Sequence, residues 1–164
     1  MSAILYIYII DSSSLIDLKK YYPIDIFQGI WNNLEDLIKK RRLYSSIQVL
    51  KEISRGDDEL KDWCNQHRTI FKPINSNIVT QTQEILAKFP RLADSERTTP
   101  IADPFLIALA LEKDPQRSLI NKRKIIITEE KFKQNKIKIP YVSREYGIES
   151  INILELFRRE KWQF

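Results

Sequence analysis

The sequence predicts an α/β domain with a mostly parallel central sheet. Two apolar runs, at 5–10 and 124–128, have the length and residue content of strands that are buried on both faces. Segments with helical periodicity lie between them, and this alternation is typical of parallel sheets. The 164 residues are about the length of one domain, and the 43% that are hydrophobic are enough to form a core.

The first strand is predicted at Leu5 to Ile10, where every residue is Leu, Ile or Tyr. It ends at Asp11, which is followed by three serines and then a short helical pattern. Ligands of parallel α/β sheets bind beyond the carboxyl ends of the strands, so Asp11 is a candidate site residue. An Asp or Ser at this point is also a common helix N-cap, and the residues by themselves leave both interpretations open.

The middle of the chain is predicted to be helical because its apolar residues recur three and four positions apart. Helices are expected at 24–42, from Ser46 onward with Glu52 beside the apolar stripe, and at 76–89. The segment 90–100 has the Pro, Ser and Thr content of a surface loop.

A buried helix is predicted over Phe105 to Leu111, which are apolar on all sides, with Asp103 as its N-cap. The second clear strand, Lys124 to Thr128, follows it and ends at Glu129 and Glu130. Both clear strands therefore end at carboxylates.

The C-terminal part is predicted to contain shorter elements. A third strand is expected at 137–140, a turn of helix at 141–147, and a final helix with Asn152 as its N-cap.

Composition excludes several kinds of site. A single cysteine, Cys64, excludes an internal disulfide and suits the cytoplasm, and a single histidine, His67, excludes catalysis by a histidine pair. With three glycines and no GxxxxGK[ST] or GxGxxG motif, a glycine-rich phosphate loop cannot form. The net charge of +5 favours a polyanionic partner, and no apolar stretch is long enough for a membrane helix.

The carboxylates Asp11, Glu52, Asp103 and the pair Glu129 and Glu130 are predicted to meet at one edge of the sheet. Two such charges at about 4 Å repel by about 4 kcal/mol at an effective dielectric of roughly 20, so a cation is expected among them. Oxygen ligands without His or Cys select Mg²⁺ or Mn²⁺. These ions activate water against phosphodiesters, which predicts a nuclease.

Hydroxyl groups beside these acids are candidate supports. Ser13 and Thr128 can hydrogen-bond a ligand carboxylate or a bound water, although both residues are also ordinary in a cap and a strand. Ser12 and Ser14 are assigned no role.

Four segments together resemble the PIN-domain ribonucleases, a family that includes the VapC-type toxins of toxin-antitoxin pairs. They occur in the family's order and at about its spacing: IIDSSSLI at 9–16, VLKEI at 49–53, IADPFLIALA at 101–110 and IIITEEKF at 125–132. The C-terminal sequence resembles that of a PIN-like branch whose function is mostly unknown.

The resemblance implies a three-layer α/β/α sandwich and a single PIN-like domain over 1–164, with a core at about 5–140 and a C-terminal extension at 141–164. It implies a metal-dependent endoribonuclease with RNA as substrate, which agrees with the Mg²⁺ or Mn²⁺ expected from the carboxylates and with the cytoplasmic location expected from the single cysteine. A toxin role, an antitoxin partner and a homodimer follow from the resemblance alone.

The resemblance also assigns the site residues. By this resemblance, Asp11, Glu52 and Asp103 correspond to acidic site residues of the family, and Ser13 corresponds to the polar residue two positions after the first acid. The family usually has Thr-x-Asp after its late strand, whereas this chain has Thr128, Glu129 and Glu130. Glu130 is therefore preferred to Glu129 as the fourth acid. The longer side chain there keeps an alternative open, a catalytically inactive RNA-binding or protein-interaction module.

Overall fold

The computed structural model describes residues 3–56, 58–93, 102–113 and 121–164, and these contain one sheet of five parallel strands. The strand order is β3-β2-β1-β4-β5, and all four neighbouring pairs are parallel. In chain order the strands are β1 (Ile4–Ile10), β2 (Leu43–Ser46), β3 (Phe71–Lys72), β4 (Asn121–Ile127) and β5 (Ser150–Ile151). The predicted α/β class is confirmed.

Helices connect the strands and cover both faces of the sheet. Within the described ranges they are α1 (Ser12–Tyr21), α2 (Gln28–Lys39), α3 (Ile47–Ile53), α4 (Asp58–Gln66), α5 (Ser76–Lys88), α6 (Asp103–Leu111), α7 (Ile139–Glu145) and α8 (Ile153–Arg159), with 3-10 helices at Arg68–Ile70 and Pro90–Ala93. Right-handed crossovers place α1 to α4 on one face and α5 to α7 on the other. Contacts among α1, α3 and α4 and among α5, α6 and α7 agree with this three-layer arrangement.

β1 and β4 form the centre of the sheet. They pair in register from Ile4 and Asn121 to Ile10 and Ile127. Their last residues are almost wholly buried, as expected for strands covered on both faces. None of the helices in the described part of the chain has the length and apolar character that a membrane-spanning segment requires.

The helix predicted at 24–42 is shorter than expected at both ends. It begins at Gln28, because the chain turns after Pro23, where the amide of Phe27 donates to the Pro23 carbonyl. It ends at Lys39, because Arg41 adopts a positive φ of 58° and the amide of Arg42 donates back to the Leu37 carbonyl.

The strand predicted at 137–140 is wrong. Lys138 is extended, but it is the N-cap of α7, and Pro140 lies in the first helical turn, where the missing N–H of proline is tolerated. The predicted cap Asn152 is confirmed, since its side chain accepts a hydrogen bond from the amide of Glu155. Ser46, from which a helix was predicted, is the N-cap of α3 and accepts from the amide of Gln48. Most of the loop predicted at 90–100 lies outside the described residues.

The C-terminal helix α8 is fixed to the sheet by a partly buried ion pair. The Arg42 guanidinium donates to both carboxylate oxygens of Glu160 at 2.8 Å, and its Nε donates to the Tyr6 carbonyl at 2.9 Å. Burial and the Glu160 carboxylate raise the pKa of Tyr8, whose hydroxyl donates to the same carboxylate. The segment predicted as an extension therefore contributes β5 and a helix anchored to β1.

Candidate active site

Asp11 lies directly beyond the carboxyl end of β1, at the point where the chain reverses its direction of progress across the sheet. The chain first runs from β1 to β3 on one side and then crosses to β4 on the other. Crevices beyond the carboxyl ends of strands at such a reversal are the usual ligand sites of open α/β sheets. Ile10 and Ile127 are register partners, so Asp11 and Thr128 emerge side by side.

The Asp11 carboxylate is both a helix cap and a buried polar centre. It is 3% exposed, and its Oδ1 accepts a hydrogen bond of 2.8 Å from the Ser12 amide at the start of α1. Its Oδ2 accepts from the hydroxyls of Ser13 at 2.7 Å and Thr128 at 3.0 Å. The two interpretations of Asp11 that the sequence left open are therefore compatible, since capping engages one oxygen and the sheet edge engages the other.

Ser12 connects Asp11 to Glu52. Its hydroxyl donates to Glu52 Oε2 at 2.7 Å and lies 3.4 Å from Asp11 Oδ1. Sequence analysis gave Ser12 no role, because nothing local indicates which residue of α3 will face it. Ser14, in contrast, is buried with no hydrogen-bond partner for its hydroxyl among the described residues.

Glu52 also reaches the start of α6. Its Oε1 accepts a hydrogen bond of 3.0 Å from the amide of Ala102. Asp103 is the next residue and is half-buried. Its predicted N-cap role is wrong: Ala102 occupies the cap position and Asp103 is the first residue of the helix, where a negative charge still suits the helix dipole.

Glu129 and Glu130 both extend toward helix N-termini. Glu129 Oε1 accepts from the Ile153 amide at 3.1 Å, and Glu130 Oε2 accepts from the Ile139 amide at 3.2 Å. Their own amides donate to the hydroxyls of Ser13 and Thr128 at 3.1 and 3.2 Å, respectively. The two hydroxyls thus join the Asp11 carboxylate to the backbone that follows β4. The preference for Glu130 over Glu129 as a ligand stays a prediction.

Glu129 shares its surroundings with further acids. Its pKa is raised, first by burial and then by the charges of Asp17, Glu155 and Asp11, against the lowering effect of the Ile153 amide. Asp17 was missed by sequence analysis. The signal was present, because Asp17 lies four residues after Ser13 and so shares its face of α1.

These residues fit a divalent ion by donor chemistry, since Asp11 and Glu52 offer hard carboxylate oxygens beside each other. In the described ranges, no three acidic, imidazole or thiol side chains are arranged as a ready-made binding group. Mg²⁺ commonly uses one or two carboxylates and completes its shell with water and substrate phosphate. Asp11 and Glu52 would hold such an ion, and a third ligand from Asp103 or Glu129 would require a side chain to reorient.

The fold and these residues define a class of protein, a parallel α/β domain with acidic residues directly beyond the carboxyl ends of its two central strands. Residues 8–164 match the model of the family described as Domain of unknown function (DUF4411), and the chain belongs to that family. No curated protein matches the chain. Among solved structures it is similar to VapBC2 from Rickettsia felis bound to a DNA fragment from its promoter, with 15% identity, a TM-score of 0.48, and coverage of 89% of this chain and 98% of that chain.

Proposed function

We propose that the protein is a metal-dependent endoribonuclease that hydrolyses RNA phosphodiester bonds. The observation that carries the proposal is the hydrogen-bonded connection from Asp11 through Ser12 and Glu52 to Ala102. It joins two of the predicted acids, Asp11 and Glu52, to the start of α6, where Asp103 is the first helical residue. The resemblance of the four sequence segments to PIN-domain ribonucleases supports the same chemistry.

The site residues have separable tasks in this proposal. A divalent ion bound there would activate water and neutralise charge on the leaving oxygen. Ser13 and Thr128 fix the orientation of the Asp11 carboxylate, and Ser12 fixes Glu52 relative to it. Supports of this kind prevent the carboxylates from turning away from a ligand, and their loss typically costs about 10- to 100-fold in metal affinity or activity.

A second candidate function is a non-catalytic RNA-binding module. The observation that favours it is that Glu129 and Glu130 each have a carboxylate oxygen engaged by an amide at a helix N-terminus. The toxin role, the antitoxin partner, the homodimer and the cytoplasmic location stay predictions of the sequence.

The test is incubation of purified protein with labelled RNA and Mn²⁺ or Mg²⁺. We expect cleavage by the wild type, abolition by a chelator, and a loss of about 100-fold or more in Asp11→Asn and Asp103→Asn. Cleavage that persists in both variants or in the presence of chelator would refute the metal-site proposal. RNA binding without cleavage would select the non-catalytic module. Growth arrest on expression of the wild type but not of Asp11→Asn would support the toxin role.

A further inference from the structure

Phe132 is an exposed aromatic ring beside the candidate active site. Its side chain is 43% exposed and lines a cavity of about 280 Å³ together with Thr128, Glu129 and Glu130. Thr128 connects the cavity lining to the candidate active site, because its hydroxyl donates to Asp11 Oδ2 at 3.0 Å. A large apolar side chain at this place is not explained by the core.

The Phe132 ring is held in position by α7. The Tyr141 ring is nearly parallel to it, with centroids 6.1 Å apart and an angle of 13° between the planes. The guanidinium carbon of Arg144 lies 5.0 Å from the centroid of the Phe132 ring. Tyr141 and Arg144 are three residues apart and so share one side of α7. Phe132 is therefore packed on α7, and 43% of the residue remains exposed to solvent.

The charges around Phe132 are of both signs. The cavity lining contains three carboxylates, Glu129, Glu130 and Glu155, which repel phosphate groups, and one lysine, Lys131. The loop that carries Phe132 has lysines that are exposed and form no ion pair with any described residue: Lys131, Lys133, Lys136 and Lys138. A polyanion is consequently attracted to the loop, whereas an uncharged group fits the cavity edge.

We propose that Phe132 is a stacking platform for an unpaired base of single-stranded RNA whose phosphates contact the neighbouring lysines. Proteins that bind single strands combine basic surfaces with exposed aromatic rings, because each unpaired base offers a flat face. Duplex RNA does not fit, since its bases are already stacked on one another. The position of the bound RNA as a substrate at a nuclease site rests on the proposed function. The binding of single-stranded RNA to Phe132 does not depend on it.

The test measures binding of a labelled oligouridine in chelator by fluorescence anisotropy, so that metal-dependent cleavage plays no part. We expect Phe132→Ala and Phe132→Leu each to weaken binding about tenfold or more. Phe132→Trp is expected to retain binding and to show fluorescence quenching by the stacked base. Phe164→Ala is the matched control, because that ring is also exposed, at 70%, but packs on Phe157 of α8.

Several outcomes overturn the platform. Equal RNA affinities of the wild type, Phe132→Ala and Phe164→Ala would show that the Phe132 ring does not bind RNA. Wild-type affinity in Phe132→Leu would show that a large apolar side chain is sufficient and that no aromatic stacking occurs. Binding of polyglutamate with the same dependence on Phe132, and no binding of RNA, would assign the surface to a protein partner instead. An active nuclease whose affinity and KM do not respond to Phe132→Ala would refute the platform alone. Stacking without cleavage would refute the nuclease proposal and keep the platform.

Discussion

The Ser12 hydroxyl donates a hydrogen bond of 2.7 Å to Glu52, which lies 40 positions further along the chain. Ser12 is the first residue of α1 and is adjacent to the capping Asp11, whereas Glu52 lies near the end of α3. Glu52 also accepts from the Ala102 amide at the start of α6. The Ser12 hydroxyl thus joins the carboxylate of Glu52 in α3 to that of Asp11, the N-cap of α1.

Ser12→Ala is expected to lower RNA cleavage about 10- to 100-fold, because Glu52 loses the donor that orients it relative to Asp11. Ser12→Thr, which keeps a hydroxyl, is expected to retain most of the activity. The measurement is the initial rate of cleavage at saturating Mn²⁺.

The matched control for this change is Ser14→Ala, two positions along the same helix. The Ser14 hydroxyl is buried and has no hydrogen-bond partner in the described part of the chain, so its removal is expected to leave the rate within about twofold. Equal losses in Ser12→Ala and Ser14→Ala would show that Ser12 acts only through helix stability.

Arg42→Met is expected to lower the free energy of unfolding by about 3 kcal/mol, because it leaves the Glu160 carboxylate partly buried without its cation. The two side chains are 16% and 12% exposed. The exposed pair Lys40 and Asp36 provides the comparison, since Lys40→Met should change stability by no more than about 0.5 kcal/mol. Urea unfolding measures both variants. Similar small effects would contradict the anchoring of α8 by Arg42.

We predict that titration of the Glu129 carboxyl group makes the stability of the metal-free protein depend on pH. The pKa of Glu129 in the folded state is raised above the ordinary value of 4.5, chiefly by burial. At a pH between 4.5 and the folded-state pKa, the folded state therefore holds a proton that the unfolded state has lost. The contribution of Glu129 to stability therefore falls as the pH rises through this window. Glu129→Gln keeps an acceptor for the Ile153 amide and removes the titration.

We expect the stability of Glu129→Gln relative to the wild type to increase from about pH 4 to about pH 8, measured by urea unfolding in chelator. Asp17→Asn should change the profile in the same direction by a smaller amount, because Asp17 is one of the charges that raise the pKa of Glu129. A stability difference that is independent of pH would contradict this assignment.

The sequence predicted the central strands and the acids that follow them, because a fully buried strand leaves a continuous apolar run. It did not predict β3 or β5, since each is two residues long and too short to show any periodicity. The wrong strand at 137–140 has the same origin: Ile137 and Ile139 alternate with lysines, yet Pro140 lies in the first turn of α7.

The sequence predicted the acidic residues of the candidate site but not the hydrogen bonds that connect them. Asp11 was indicated by its position at a strand end, which is a local property. The partners of Ser12 and Glu129 depend on which helices approach the sheet edge, and that is set by tertiary packing. Asp17 is the intermediate case, because its spacing from Ser13 was visible but its proximity to Glu129 was not.

The most direct test of the central claim is titration of the wild type, Asp11→Asn and Glu52→Gln with Mn²⁺ by isothermal calorimetry. We expect the wild type to bind Mn²⁺ and each carboxylate variant to bind it about tenfold or more weakly, whereas Ser14→Ala should bind it as the wild type does. An Mn²⁺ affinity that is the same in the wild type and in both carboxylate variants would contradict the assignment of Asp11 and Glu52 to a metal site.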